Sequence, residues 1–200
     1  NAVNLIDGLD GLASGVALVA LAILAWIVGE QGNVSLLLLI WVLFGSILAF
    51  WTFNRPPASI FMGDSGAYFL GYTLALLTLW GTESSGKQSM LPVLILAVPI
   101  VDTAFALFRR FLKGIPFYSA DKDHLHHRLI AKGFSSVQSM AILIGISGVY
   151  GGLAILAFQW PYFQGFAYLG GLALTWVLLY TLEYDVIRKP VSTLKGQSDH

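Results

Sequence analysis

Six apolar runs of sixteen to twenty-two residues, each bounded by Gly, Pro, Asn, Ser or charge, constrain this chain more than any other feature. They span about Leu12–Val28, Val34–Phe53, Ser65–Trp80, Leu91–Phe108, Val137–Phe158 and Phe166–Leu182. A hydrocarbon core about 30 Å thick takes roughly 20 residues at 1.5 Å rise. The runs are too long and too uniformly apolar to be the alternating strands of a barrel. The expectation is an all-α polytopic integral membrane bundle with six transmembrane helices over 1–182, followed by a tail over 183–200. No internal repeat divides it.

Composition agrees, with 56% hydrophobic and 11% charged residues in 200 and a mean hydropathy of +0.74. So few charges cannot cover a soluble globule of 21.7 kDa. Lys+Arg and Asp+Glu balance at 11 each, which leaves no basic field for nucleic acid. Cysteine is absent, and with it disulfides, thiolate metal sites and thiol nucleophiles. The chain opens on Asn1 with no cleavable leader pattern, so it is expected to be a piece of a longer protein.

Six crossings sort the loops into two sets. Arg55, Arg109, Arg110, Lys113, Lys122, Arg128, Lys132, Arg188, Lys189 and Lys195 fall on one side, and Lys87 alone falls on the other. The positive-inside rule makes the crowded side cytoplasmic. Residues 1–11, the loops 54–64 and 109–136, and the tail therefore face inward. Trp26, Trp41, Trp51, Trp80, Trp160 and Tyr162 lie near span ends, as an interfacial belt requires.

The polar residues gather in four places on that inner side. In Asn1–Ala13, helical spacing by three would align Asn1, Asn4, Asp7 and Asp10 on one stripe, with Gly8 and Gly11 clearing space beside it. The plain alternative is a solvated helix end, but interior glycines cost a helix about 1 kcal/mol each and favour a bound ligand. In Asn54–Gly66, Asp64 or Ser65 either caps the third span or stands where free N–H groups and an acid attract phosphate and a hard cation. Asp102 lies within the fourth span. It is either functional or structural, pairing with Arg109 or capping a helix broken at Pro99. In the loop Arg109–Leu129, His124, His126 and His127 fall within four residues, flanked by Asp123 and Arg128. That spacing lacks the i, i+4 pair of a helical zinc site, and recognition of a phosphorylated or hydroxyl-rich ligand suits it better.

Three motifs, NAVNLIDGLDGLA from Asn1, FMGDSGAYFLG from Phe61 and DKDHLHHRL from Asp121, resemble in order and spacing the polyprenyl-phosphate N-acetylhexosamine-1-phosphate transferases. The H-x-H-H-R loop resembles the undecaprenyl-phosphate N-acetylglucosamine-1-phosphate transferase branch. The phospho-muramoyl-pentapeptide transferases, the nearest alternative, carry three consecutive histidines instead. The resemblance implies transfer of a sugar-1-phosphate from a UDP-N-acetylhexosamine to a polyprenyl phosphate at the inner membrane, releasing UMP and initiating a lipid-linked envelope glycan. It implies Mg²⁺, with Mn²⁺ as a substitute, held by Asp64 and Asn4. Asp7, Asp10 and Asp64 would be catalytic, Phe61 would stack on uracil, and Asp10 would lie near the base. Asn54 would contact the nucleotide, and His124, His126, His127 and Arg128 the sugar and diphosphate. A homodimer is among the assemblies open to it. The family's adjacent aspartate pair and its earlier spans are absent here, so this piece alone is expected to be inactive.

Two other classes compete. A transporter would place Asp102 at a midplane site between repeated halves, whereas these polar groups gather at span ends without a repeat. A membrane scaffold would leave the Asn/Asp stripe and the histidine loop unexplained.

Overall fold

The computed structural model describes residues 1–83, 90–114 and 124–188. Asp121, Lys122 and Asp123 of the third motif, and Lys87, Lys189 and Lys195 of the charge asymmetry, lie outside the described residues. Within them the chain is helical throughout, with no strand: α1 (Ala2–Ile6), α2 (Leu12–Glu30), α3 (Val34–Asn54), α4 (Gly63–Glu83), α5 (Leu91–Ile95), α6 (Ala97–Lys113), α7 (Leu125–Ala131), α8 (Ser136–Gln159) and α9 (Gln164–Arg188). A 3₁₀ turn over Pro161–Phe163 joins the last two.

Among the described residues, four segments are long and apolar enough to cross a membrane: α2, α3, α8 and Pro161–Leu182. α4 is also 21 residues long, but Gly, Tyr and Thr dilute its apolar surface. The expected span at Leu91–Phe108 is not one helix. It breaks at Leu96, between α5 and α6. Pro99 supplies the cause, because a proline ring clashes with the carbonyl four residues back and offers no N–H to it. That carbonyl is Ile95, the last residue of α5.

α2 is the hub and packs against α3, α8, α4 and α5. It is as apolar as α3, yet 72% of its span is buried against 11% for α3. Small residues make the difference. Ala13, Ser14, Gly15, Ala17 and Ala20 are all buried and let neighbouring backbones approach, the way helices pack in lipid. Glycines on the partners do the same, since a Cβ on Gly81 would meet Leu24 and Val28 at 2.8 Å. α3 instead turns Leu38, Trp41 and Val42 outward, and α9 turns out Leu169, Leu172 and Trp176. A rim of large exposed apolar side chains around an apolar core is the surface of a multi-pass membrane protein.

Polar contacts gather at the end of the bundle where α2 begins and α3 finishes. Ser14 of α2 bonds Asn54 of α3 there, and Asn4 of α1 bonds Asp64 of α4. At the opposite end the Gln31 amide donates to the Gly81 carbonyl. Trp51, near the end of α3, donates its indole N–H to the Gly11 carbonyl at 3.3 Å.

Candidate active site

The first polar segment is not the continuous stripe that its spacing suggested. α1 stops after Ile6, and Asp7 caps its C-terminus with its N–H on the Asn4 carbonyl. Gly11 then takes φ +73°, a left-handed conformation that glycine adopts without penalty, and α2 starts at Leu12. A side chain at Gly11 would also press within 3.2 Å of the Arg55 backbone. Asn4, Asp7 and Asp10 therefore leave the backbone from a helix, a helix end and a turn.

This broken geometry builds a cleft of about 410 Å³ bordered by Asn4, Asp7, Asp10, Asn54, Phe61 and Asp64. Asp64 lies in the first turn of α4, where the helix dipole favours negative charge. Its Oδ1 accepts a 2.9 Å bond from the Asn4 amide. Burial, and then the nearby Asp64 carboxylate, push the Asp7 carboxyl up to about 6. Phe61 stands 76% exposed at the cleft's edge, an aromatic face free to stack.

Two neighbouring carboxyl groups, Asp7 and Asp64, and the Asn4 carboxamide offer a set of oxygens short of positive charge. That set fits a hard divalent cation. Among the described residues no group of three or more His, Cys, Asp or Glu side chains converges. A cation here would take its remaining ligands from water and from ligand phosphates, which is how Mg²⁺ is usually held.

Asn54 and Asp10 border the cleft, but each is already engaged in holding it together. The Asn54 side chain is 3% exposed. Its Oδ1 accepts from Gly11 N–H at 3.2 Å and Ser14 Oγ at 2.7 Å, and its Nδ2 donates to the Ile60 carbonyl at 3.0 Å. Asp10 Oδ2 accepts from Ala58 N–H at 3.0 Å. Together they pin the loop that presents Phe61 against the turn that carries Asp7.

The histidine loop forms α7 and packs behind this cleft. His126 is 2% exposed and lies against Gly8, which borders the cleft. Its Nε2 is buried without a hydrogen-bond partner. Burial above all, then the neighbouring His127, lowers the His126 imidazole to about 4, so it is neutral at physiological pH. His127 is exposed, its ring tilted against His126 with centroids 4.2 Å apart. Arg128 donates to the Leu182 carbonyl of α9 at 3.4 Å. Among the described residues bordering the cleft, none comes from this loop, so His126 is the member that approaches it, through Gly8.

One contact of the histidine loop escaped the sequence reading. Asp102, left open between a functional and a structural role, reaches from α6 to His124 Nδ1 and to the Leu125 N–H, each at 2.7 Å. The signal for it was an acid inside an apolar segment. Its partner, 22 residues on, carried no signal in the spacing.

Residues 1–82 match glycosyl transferase family 4. The chain is 43% identical over 158 residues to a protein of Bacillus subtilis named probable undecaprenyl-phosphate N-acetylglucosaminyl 1-phosphate transferase. It is 29% identical over 164 residues to the Escherichia coli K12 undecaprenyl-phosphate alpha-N-acetylglucosaminyl 1-phosphate transferase, and 30% identical over 164 residues to the Salmonella typhi protein of that name. Each match covers 78% of this chain and 44% of the relative, so the chain spans about half the length of these proteins. The stretch over residues 1–82 that matches glycosyl transferase family 4 contains the cleft residues Asn4, Asp7, Asp10, Asn54, Phe61 and Asp64.

Proposed function

We propose that this chain forms the nucleotide and metal side of a membrane sugar-1-phosphate transferase. The enzyme would move N-acetylglucosamine-1-phosphate from its UDP-sugar to undecaprenyl phosphate and release UMP. A lipid phosphate oxygen attacks the β-phosphorus of the UDP-sugar, and the bond from that phosphorus to the bridging oxygen of UMP breaks. The observation that carries this reading is the meeting of Asn4, Asp7 and Asp64, from separate elements, in one open cleft at the end of an apolar bundle. A water-soluble diphosphate and a lipid phosphate can meet only at such a boundary.

The reacting groups are both anions, so the site must offset their repulsion. Asp64 and Asn4 would hold Mg²⁺, with Mn²⁺ as a substitute, and Asp7 adds a second carboxylate beside them. When bound, the cation neutralises the diphosphate and favours in-line displacement. Phe61 offers its exposed face to the uracil, while Asn54 and Asp10 hold the Phe61 loop in place. His126, neutral and lacking a protein partner at Nε2, is suited to bond a sugar or phosphate oxygen once Gly8 and its neighbours admit one.

In this reading the chain crosses the inner membrane six times, with α4 and the broken α5–α6 segment as the third and fourth crossings, and this end of the bundle faces the cytoplasm. The placement of Arg55, Arg109, Arg110 and Arg128 at or near this end supports that orientation. The names of the relatives and the H-x-H-H-R loop favour N-acetylglucosamine over a muramoyl-pentapeptide donor.

The test is incorporation of label from a panel of UDP-sugars into polyprenyl lipid by membranes carrying the full-length protein. UDP-N-acetylglucosamine should label the lipid, and Asp64→Asn should cut the rate by about 100-fold or more. Unchanged turnover in that variant or in excess chelator, or no lipid labelling from any UDP-sugar, overturns the proposal.

A further inference from the structure

We infer that Asp102 is a positioning residue for the histidine loop: it holds His124 with a proton on Nδ1 and so presents Nε2, while capping the helix that carries His126. Asp102 is 1% exposed and His124 6%, so the pair is largely shielded from water. The two carboxylate oxygens are divided between two jobs. Oδ2 lies 2.7 Å from His124 Nδ1, and Oδ1 accepts the Leu125 N–H at 2.7 Å. A carboxylate can only accept, so the nitrogen facing it carries the hydrogen whether His124 is neutral or charged.

The second bond matters because α7 begins at Leu125 with His124 as its N-cap, and the His124 side chain makes no capping bond. Asp102, from a different helix, satisfies one of the free N–H groups at that start. The His124 ring then stacks parallel to His126, with an interplanar angle of 8° and centroids 6.0 Å apart. Rotation of His124 would disturb the ring whose unpartnered Nε2 faces Gly8. Asp102 thus reaches the cleft through two histidines without bordering it. An orienting acid of this kind sets a tautomer, not only a position.

Asp102→Asn separates the two jobs. Its carbonyl oxygen still accepts from Leu125, so α7 stays capped, but its amide nitrogen donates toward His124 and demands a bare Nδ1. In full-length protein labelled with ¹⁵N-histidine, with His124→Gln used to assign the signal, wild-type His124 should show a protonated Nδ1. Asp102→Asn should convert it to the Nε2–H form. A bare Nδ1 in the wild type, or an unchanged tautomer in a folded Asp102→Asn, overturns the proposal. If that variant does not fold, the wild-type spectrum alone decides, because free imidazole prefers the opposite tautomer.

The consequence for turnover rests on the transferase reading. Asp102→Asn should lower kcat by about 10–100-fold, the range for residues that orient a working side chain, with the KM for the UDP-sugar changed less. The spectrum does not depend on turnover. A correct tautomer pattern with no transferase activity in the wild type would refute the reaction and leave the orienting role standing. A wild-type enzyme that works with a bare Nδ1 would do the reverse.

Discussion

The contact between Gly8 and His126 gives the sharpest test of how the histidine loop meets the cleft. A Cβ on Gly8 would lie 2.6 Å from His126 Cε1 and closer still to Nε2, about 1 Å inside ordinary contact. His126 is 2% exposed, with the His124 ring stacked on it and the His127 ring tilted against it, so the ring cannot swing clear without moving α7. Overpacking of this kind costs about 1–3 kcal/mol. Gly8 has no left-handed backbone conformation to lose. Alanine also restricts the unfolded chain, which returns about 0.4–1 kcal/mol. The net loss for Gly8→Ala should therefore fall within about 0–2.6 kcal/mol and centre near about 1.3 kcal/mol, at about 2–4 °C of thermal midpoint per kcal/mol for a chain of this length. The assay is a double-mutant cycle with His126→Ala, read as thermal midpoints in detergent. In the His126→Ala background the added methyl enters vacated space, and Gly8→Ala should be neutral or stabilising. Equal destabilisation in both backgrounds would show that Gly8 does not abut His126 and would refute the packing argument.

Asn54→Ala should destabilise the protein by about 2–4 kcal/mol, because it orphans the buried Ser14 hydroxyl and Gly11 N–H together; Ser14→Ala should cost far less in the same melting assay. The two perturbed groups at the cleft should oppose each other with pH. Asp7 titrates at about 6 in the fold against an ordinary 3.8, so its contribution to stability is full below about pH 4 and lost as pH rises through about 6. His126 titrates at about 4 against 6.5, so its contribution is present above about 6.5 and lost as pH falls toward 4. In chelator, the stability of the wild type relative to Asp7→Asn should fall between pH 4 and 6, and relative to His126→Ala it should rise from pH 4 to 6.5; slopes of the opposite sign would contradict the burial of these groups.

The helices in contact with lipid were readable because a spanning segment must satisfy its backbone internally and must be apolar over its whole length. α2, α3 and α8 accordingly begin and end within two residues of the apolar runs, and α9 begins within two of its run but continues past it to Arg188. The break at Leu96 was half visible. Pro99 marked it, but the consequence falls four residues earlier, at the carbonyl that the ring displaces. The polar motifs were recognisable as local strings, and Asn4, Asp7 and Asp64 do meet. The helical stripe that seemed to organise them does not exist, because α1 already ends at Ile6, Gly8 lies in a turn, and Gly11 takes a left-handed conformation from which α2 starts anew.

Which residues face a ligand and which hold the others in place was not legible in the spacing. Asn54 and Asp10 have the chemistry of ligand contacts, and their hydrogen bonds tie a loop to a turn. Asp102 and His126 have the chemistry of surface groups, and both are buried. The amino-acid order settled that this chain is a set of apolar helices with its Asn/Asp motifs and its His124–His127 cluster in the segments between them, since hydrophobic length and residue type are local properties. The pairing of Asp102 with His124, the burial of His126 behind Gly8 and the repulsion between Asp7 and Asp64 arose from packing. Each depends on which distant groups share a space that water does not fill.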